Sequence, residues 1–131
     1  MLSRLPLPAP SRRAIALAWT LLLCFILLQP GRDPLIGPAA AGDHDAFGLL
    51  LLHLAHLLSF ALMTWLWWRA LGSIRPALLI ALTCGGLTEV GQIFVPDRGL
   101  SALDLALNGG GALAVALWLR RRESRAVRRA A

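Results

Sequence analysis

The segment TEVGQIFVPDRGLSALDLALN, residues 88–108, decides how this chain is read. It joins two strongly apolar runs, yet it holds Glu89, Gln92, Asp97, Arg98, Asp104 and Asn108. Polar groups facing hydrocarbon are costly, so carboxylates and amides in such a place need a physical reason. That reason depends on what surrounds them.

Of the 131 residues, 57% are hydrophobic and only 15% are charged. A soluble domain is usually about a quarter charged. Too few polar residues remain to cover a surface facing water, and the mean hydropathy of +0.66 agrees. The composition predicts a one-domain integral membrane protein whose first partner is the lipid bilayer. The net charge of +6 does not point to nucleic acid, because most of the arginines cluster at the two ends of the chain, outside the apolar runs. There is no lysine, which together with abundant Ala and Leu suggests a high-GC bacterial genome. Cys24 and Cys84 lie within apolar runs with no CxxC or metal-ligand spacing around them. They read as small packing residues, and no cofactor or metal is expected.

Four apolar segments are predicted as helices, at about residues 14–28, 47–68, 76–94 and 103–119. A spanning helix needs about 20 apolar residues, with about 17 as the lower limit. The second and third qualify easily; the first and fourth are short. The first segment also has the basic start and apolar centre of a signal peptide, followed by Ala39-Ala40-Ala41. Gln29-Pro30-Gly31-Arg32 separates the run from those alanines, which favours a retained helix. Pro76 suits the first turn of helix three, Pro96 stops it, and Ser101 is placed to cap helix four. The short turn between Arg69 and Arg75 makes helices two and three an antiparallel hairpin. The expected fold is an all-α four-helix transmembrane bundle, over residues 14–119. A basic N-terminus (1–13) precedes it and an Arg-rich tail (120–131) follows.

Orientation follows from the arginines. Arg4, Arg12 and Arg13, then Arg69 and Arg75, then the six arginines of the tail mark one side of the membrane. The first loop sets Arg32 against Asp33, Asp43 and Asp45, and the third balances Asp97 with Arg98. Both termini are therefore expected to be cytoplasmic. The tail is also suited to anionic headgroups, at about 1 kcal/mol per arginine near the surface.

On this topology the polar residues share one depth. His53 and His56 lie about 9 and 13 Å below the outer end of helix two. Glu89 and Gln92 fall within about 8 Å of the outer end of helix three, and Asp104 and Asn108 occupy the first two turns of helix four. Each pair is three or four residues apart and shares a helix face. The economical arrangement turns the three faces inward, to line one cavity in the outer half of the bundle. Gly85, Gly86, Gly109, Gly110, Gly111 and Ala112 would let the helices approach closely there. The plainer reading is a set of interhelical hydrogen bonds, at about 0.6 kcal/mol each on average. Trp65, Trp67 and Trp68 read as an interfacial aromatic belt.

The order His56, Glu89-x-x-Gln92, Pro96-Asp97-Arg98 and Asp104-x-x-x-Asn108-Gly109 resembles the VanZ-like family of small bacterial membrane proteins, over roughly residues 43–119. The family usually carries an Asp-Lys pair shortly before the helix-two histidine and a Phe directly after it. Here those positions read Leu52-His53 and Leu57, with Phe60 one turn on; the family's Pro-Gly-Arg reads Pro96-Asp97-Arg98. The resemblance implies a multi-pass protein of the bacterial cytoplasmic membrane. The family is named for a protein associated with teicoplanin resistance, so a link to glycopeptide-type resistance comes with the likeness.

Three functions compete. The first is binding or remodelling of an envelope lipid or lipid-linked intermediate. In it Arg98 takes a phosphate or carboxylate, while His56, Glu89, Gln92, Asp104 and Asn108 hold a polar headgroup. The second is an intramembrane enzyme with His56 as base and Glu89 or Asp104 as acid, or with the three as metal ligands. No serine or cysteine nucleophile stands beside them in sequence, so the chain leans towards binding. The third is a proton or small-ion transporter, against which the inner half offers no polar path.

Overall fold

The computed structural model describes residues 9–30, 46–96 and 98–130. The protein is all-helical, with α1 at Ala9–Leu27, α2 at Ala46–Leu71, α3 at Ile74–Gln92 and α4 at Ala102–Ala130. Each helix is long and apolar enough to cross a membrane. The four elements match the predicted segments, but their ends differ. Helix α1 starts five residues before the predicted 14, so Arg12 and Arg13 are helical. Helix α4 runs through its arginines to Ala130 instead of stopping near 119. Arg, Ala and Glu are good helix formers, and no Gly or Pro interrupts residues 112–130. The apolar run thus marked the span and not the helix. The alanines at 39–41, the acidic residues of the first loop and Asp97 lie outside the described residues.

Helices α2 and α3 form the centre. Each contacts all the other helices, whereas among the described residues α1 and α4 make no close backbone approach to each other. The turn between α2 and α3 is short because Gly72 adopts a φ of 70°, a left-handed conformation that glycine enters without steric cost. Pro76 falls in the first turn of α3, where its missing N–H leaves no bond unmade.

The core is narrow. Phe60, Met63, Ala81, Ala112 and Leu119 are buried, whereas Leu21, Phe25, Leu58, Leu79 and Leu87 point outward. That outward apolar surface is what a bilayer would cover. Close approach of α2 and α4 rests on Gly111, where an added Cβ would lie 2.0 Å from the Leu57 carbonyl oxygen. Gly85 is also tight, with an added Cβ 3.3 Å from both the Asn108 Cβ and the Phe60 ring. Gly86 and Gly110 face open space, so only part of the glycine-rich sequence serves packing.

Helix α1 is tied to the centre by directional bonds. The Trp19 indole donates to the Ser59 carbonyl at 3.2 Å, and the Trp67 indole donates to the Thr20 hydroxyl at 3.0 Å. Trp67 is therefore a packing residue and not a member of a lipid-facing belt. Trp65 and Trp118 instead carry arginines over their rings, Arg69 at 5.2 Å and Arg122 at 4.6 Å.

Candidate functional site

The end of α3 builds the site. Beyond Gln92 the chain tightens into i→i+3 turns, with the amides of Ile93, Phe94 and Val95 donating to the carbonyls of Val90, Gly91 and Gln92. These turns satisfy carbonyls that a helix end leaves open. They carry the chain round to Ser101, which caps α4. Its hydroxyl accepts the Asp104 amide at 3.2 Å, and its carbonyl accepts the Leu105 amide at 3.0 Å.

A Ser-x-x-Asp start usually closes a capping box, with the acid returning to the amide of the cap. Here that amide goes elsewhere. The Ser101 N–H donates to Glu89 Oε2 at 3.0 Å, so α3 holds the start of α4 through a carboxylate. The Asp104 carboxylate is thereby released from its own helix cap. Sequence reading marked Ser101 only as a cap. The signal that it does more is the pairing of a buried acid on one helix with the loop that begins the next.

Four predicted residues meet in the interior. Glu89 and Asn108 are each only 1% exposed, Gln92 3% and His56 7%. His56 Nδ1 lies 3.0 Å from Asn108 Oδ1, across the α2–α4 contact. A carbonyl oxygen only accepts, so with Asn108 Oδ1 facing the ring the His56 Nδ1 is the donor of this bond. Gln92 donates from Nε2 to the Leu27 carbonyl at 3.1 Å and joins α3 to the end of α1. Asp104 and Arg98 are half-buried, and both lie, with His56, within electrostatic reach of Glu89. Arg98 is itself engaged by an interaction within the protein. His53 is half-buried, one turn closer to the start of α2.

Buried atoms without a hydrogen-bond partner among the described residues include Glu89 Oε1 and Asn108 Nδ2. One is an acceptor and the other a donor, so a group with both functions, such as a hydroxyl or an amide, answers both. Among the described residues no three His, Cys, Asp or Glu side chains are grouped to hold a metal ion. Glu89 interacts electrostatically with both His56 and Asp104.

Beside the polar cluster lies an apolar cavity of about 240 Å³ between α1 and α2, lined by Trp19, Leu23, Ile26, Leu52 and Phe60 and bordered by His56. Polar site and apolar cavity therefore share a residue. No family model, curated protein or solved structure matches this chain.

Proposed function

We propose that this protein binds or remodels an envelope lipid or lipid-linked intermediate at the polar end of its bundle, in a bacterial cytoplasmic membrane with both chain termini inside. The observation that carries the reading is the pair of buried, unmatched atoms, Glu89 Oε1 and Asn108 Nδ2, on two side chains whose other polar atoms are bonded to Ser101 and His56. A cluster serving only to join helices would satisfy its own atoms. An unmatched buried polar group costs about 1–3 kcal/mol, so a ligand that reaches both atoms is strongly favoured. Arg98, with its planar fork of donors, suits a phosphate or carboxylate at the mouth. The ordered residues from His56 to Asn108 give the VanZ-like likeness its support, and glycopeptide resistance enters as an expectation of that likeness.

An acid/base reading has one observation in its favour. Asn108 orients the His56 ring through Nδ1, and His56 and Asp104 each interact electrostatically with Glu89. A binding role uses the same geometry without requiring a nucleophile, so binding is preferred.

Native mass spectrometry of protein taken from its own membranes tests the proposal. Wild type should retain a discrete lipid mass that Glu89→Gln and Arg98→Ala both lose. Equal, featureless spectra from three equally stable proteins would refute it. The orientation has its own test: a cysteine at position 98 should be labelled from outside the cell, and one at position 125 only after permeabilisation.

A further inference from the structure

The opposite end of the bundle carries a second amphiphilic site. A cleft of about 560 Å³ lies between the start of α3 and the middle of α4. Its mouth holds Arg75, Arg120 and Glu123, and its floor is made by Leu78, Leu113 and Leu117. Seven residues of α4 separate Leu113 from Arg120, so the cleft runs about 10 Å from charge to hydrocarbon. Polarity changes along its length as it does along a phospholipid.

Charge selects the occupant. Two arginines and one glutamate line this end, a net positive balance. Among the described residues, neither arginine side chain is held by a hydrogen bond or an ion pair, and Glu123 is paired with neither. Ser73 sits in extended backbone at the start of α3, and its hydroxyl makes no capping bond. Polar donors are therefore present at the mouth and uncommitted. The apolar floor excludes a purely aqueous anion as the best fit, because Leu113 and Leu117 are about half exposed there. Basic pockets between membrane helices are known headgroup sites.

We infer that this cleft binds one phospholipid with a net negative headgroup, its phosphate on Arg75 and Arg120 and an acyl chain along Leu78, Leu113 and Leu117. The site is narrower in scope than a basic tail attracting any anionic surface, because it assigns two arginines and excludes the others. It stands independently of the ligand proposed for the polar end.

The test titrates the purified full chain with phosphatidylglycerol or phosphatidylcholine and reads bound lipid by native mass spectrometry. One phosphatidylglycerol should remain per chain where phosphatidylcholine does not. Arg75→Gln and Arg120→Gln should each weaken retention about fivefold, while Arg128→Gln leaves it unchanged. Leu113→Trp should abolish retention with every charge in place. All four positions are exposed, so helical circular dichroism should be that of wild type. Equal weakening by Arg128→Gln would show diffuse basic attraction and overturn the site. Retention by Leu113→Trp, or full displacement by millimolar inorganic phosphate, would mean an anion site without a chain groove and would overturn it equally.

Discussion

Replacing Gly111 by alanine should disturb the candidate site without touching any of its polar residues. A Cβ there would stand 2.0 Å from the Leu57 carbonyl oxygen, 2.9 Å from the Leu57 carbonyl carbon and 3.2 Å from the Ala61 nitrogen. All three are backbone atoms, so no rotamer change relieves the clash, and α2 and α4 must part by about 1 Å or more to reach ordinary contact. Leu57 follows His56, and Gly111 lies one turn beyond Asn108. The same separation therefore stretches the 3.0 Å bond between His56 and Asn108 beyond hydrogen-bonding distance. Overpacking of this kind costs about 1–3 kcal/mol, with rigid backbone as the obstacle placing it at the upper end. Gly110→Ala is the control, because nothing lies within 4 Å of its added Cβ. It should be neutral or stabilising by up to about 1 kcal/mol, the helix advantage of alanine over glycine. Denaturant titration in detergent micelles, followed by circular dichroism, reads both. Equal midpoints for Gly111→Ala and Gly110→Ala would refute the claim that Gly111 sets the α2–α4 distance.

Other changes test neighbouring parts of the structure. Ser101→Ala removes the cap of α4 and should lower stability by about 1 kcal/mol in the same titration; no change would mean that the Glu89 contact alone fixes this end. Glu89→Gln keeps an acceptor for the Ser101 amide and should unfold close to wild type, whereas Glu89→Leu strands that amide and should lose about 1–3 kcal/mol. If both variants are equally stable, Glu89 does not hold the loop. Cys24 of α1 and Cys84 of α3 are near enough for their thiols to interact. A short bifunctional thiol reagent should therefore link them within one chain, shown by an intact mass carrying one bridge, and single-site adducts alone would contradict the placing of α1 against α3.

The fold was legible because hydropathy over about 20 residues is a strong signal and nothing local contradicts it. The helix ends were less so. Arg120 to Arg129 end the apolar pattern without ending the helix, since solvation and helix propensity are separate properties. Spacing within each helix put His56, Glu89, Gln92 and Asn108 on inward faces, and they are buried. What spacing could not supply was partnership. Periodicity says which face a residue occupies, but not which atom on another helix it meets. So the Glu89–Ser101 bond, the Gln92–Leu27 bond and the inward turn of Trp67 emerge only when the helices are assembled. The glycines show the same limit: five of them, at 85, 86, 109, 110 and 111, looked alike in sequence, and of these only Gly85 and Gly111 meet a close neighbour that resists a side chain.

Magnitudes bear on why the polar cluster exists at all. Lipid offers no hydrophobic drive between helices, so polar bonds and close packing must hold them. The site provides three such links, His56–Asn108, Glu89–Ser101 and Gln92–Leu27. At about 0.6 kcal/mol each they contribute roughly 2 kcal/mol. The two unmatched atoms, at about 1–3 kcal/mol each, cost as much or more. As a device for joining helices the cluster therefore gains little, and an apolar interface would serve as well. A ligand reverses the balance, because it satisfies both atoms and binds only the folded state. At a hundred times its dissociation constant it would add about 2.7 kcal/mol. The native ligand should accordingly raise the unfolding midpoint of wild type and leave that of Glu89→Gln in place, although both start from nearly the same stability.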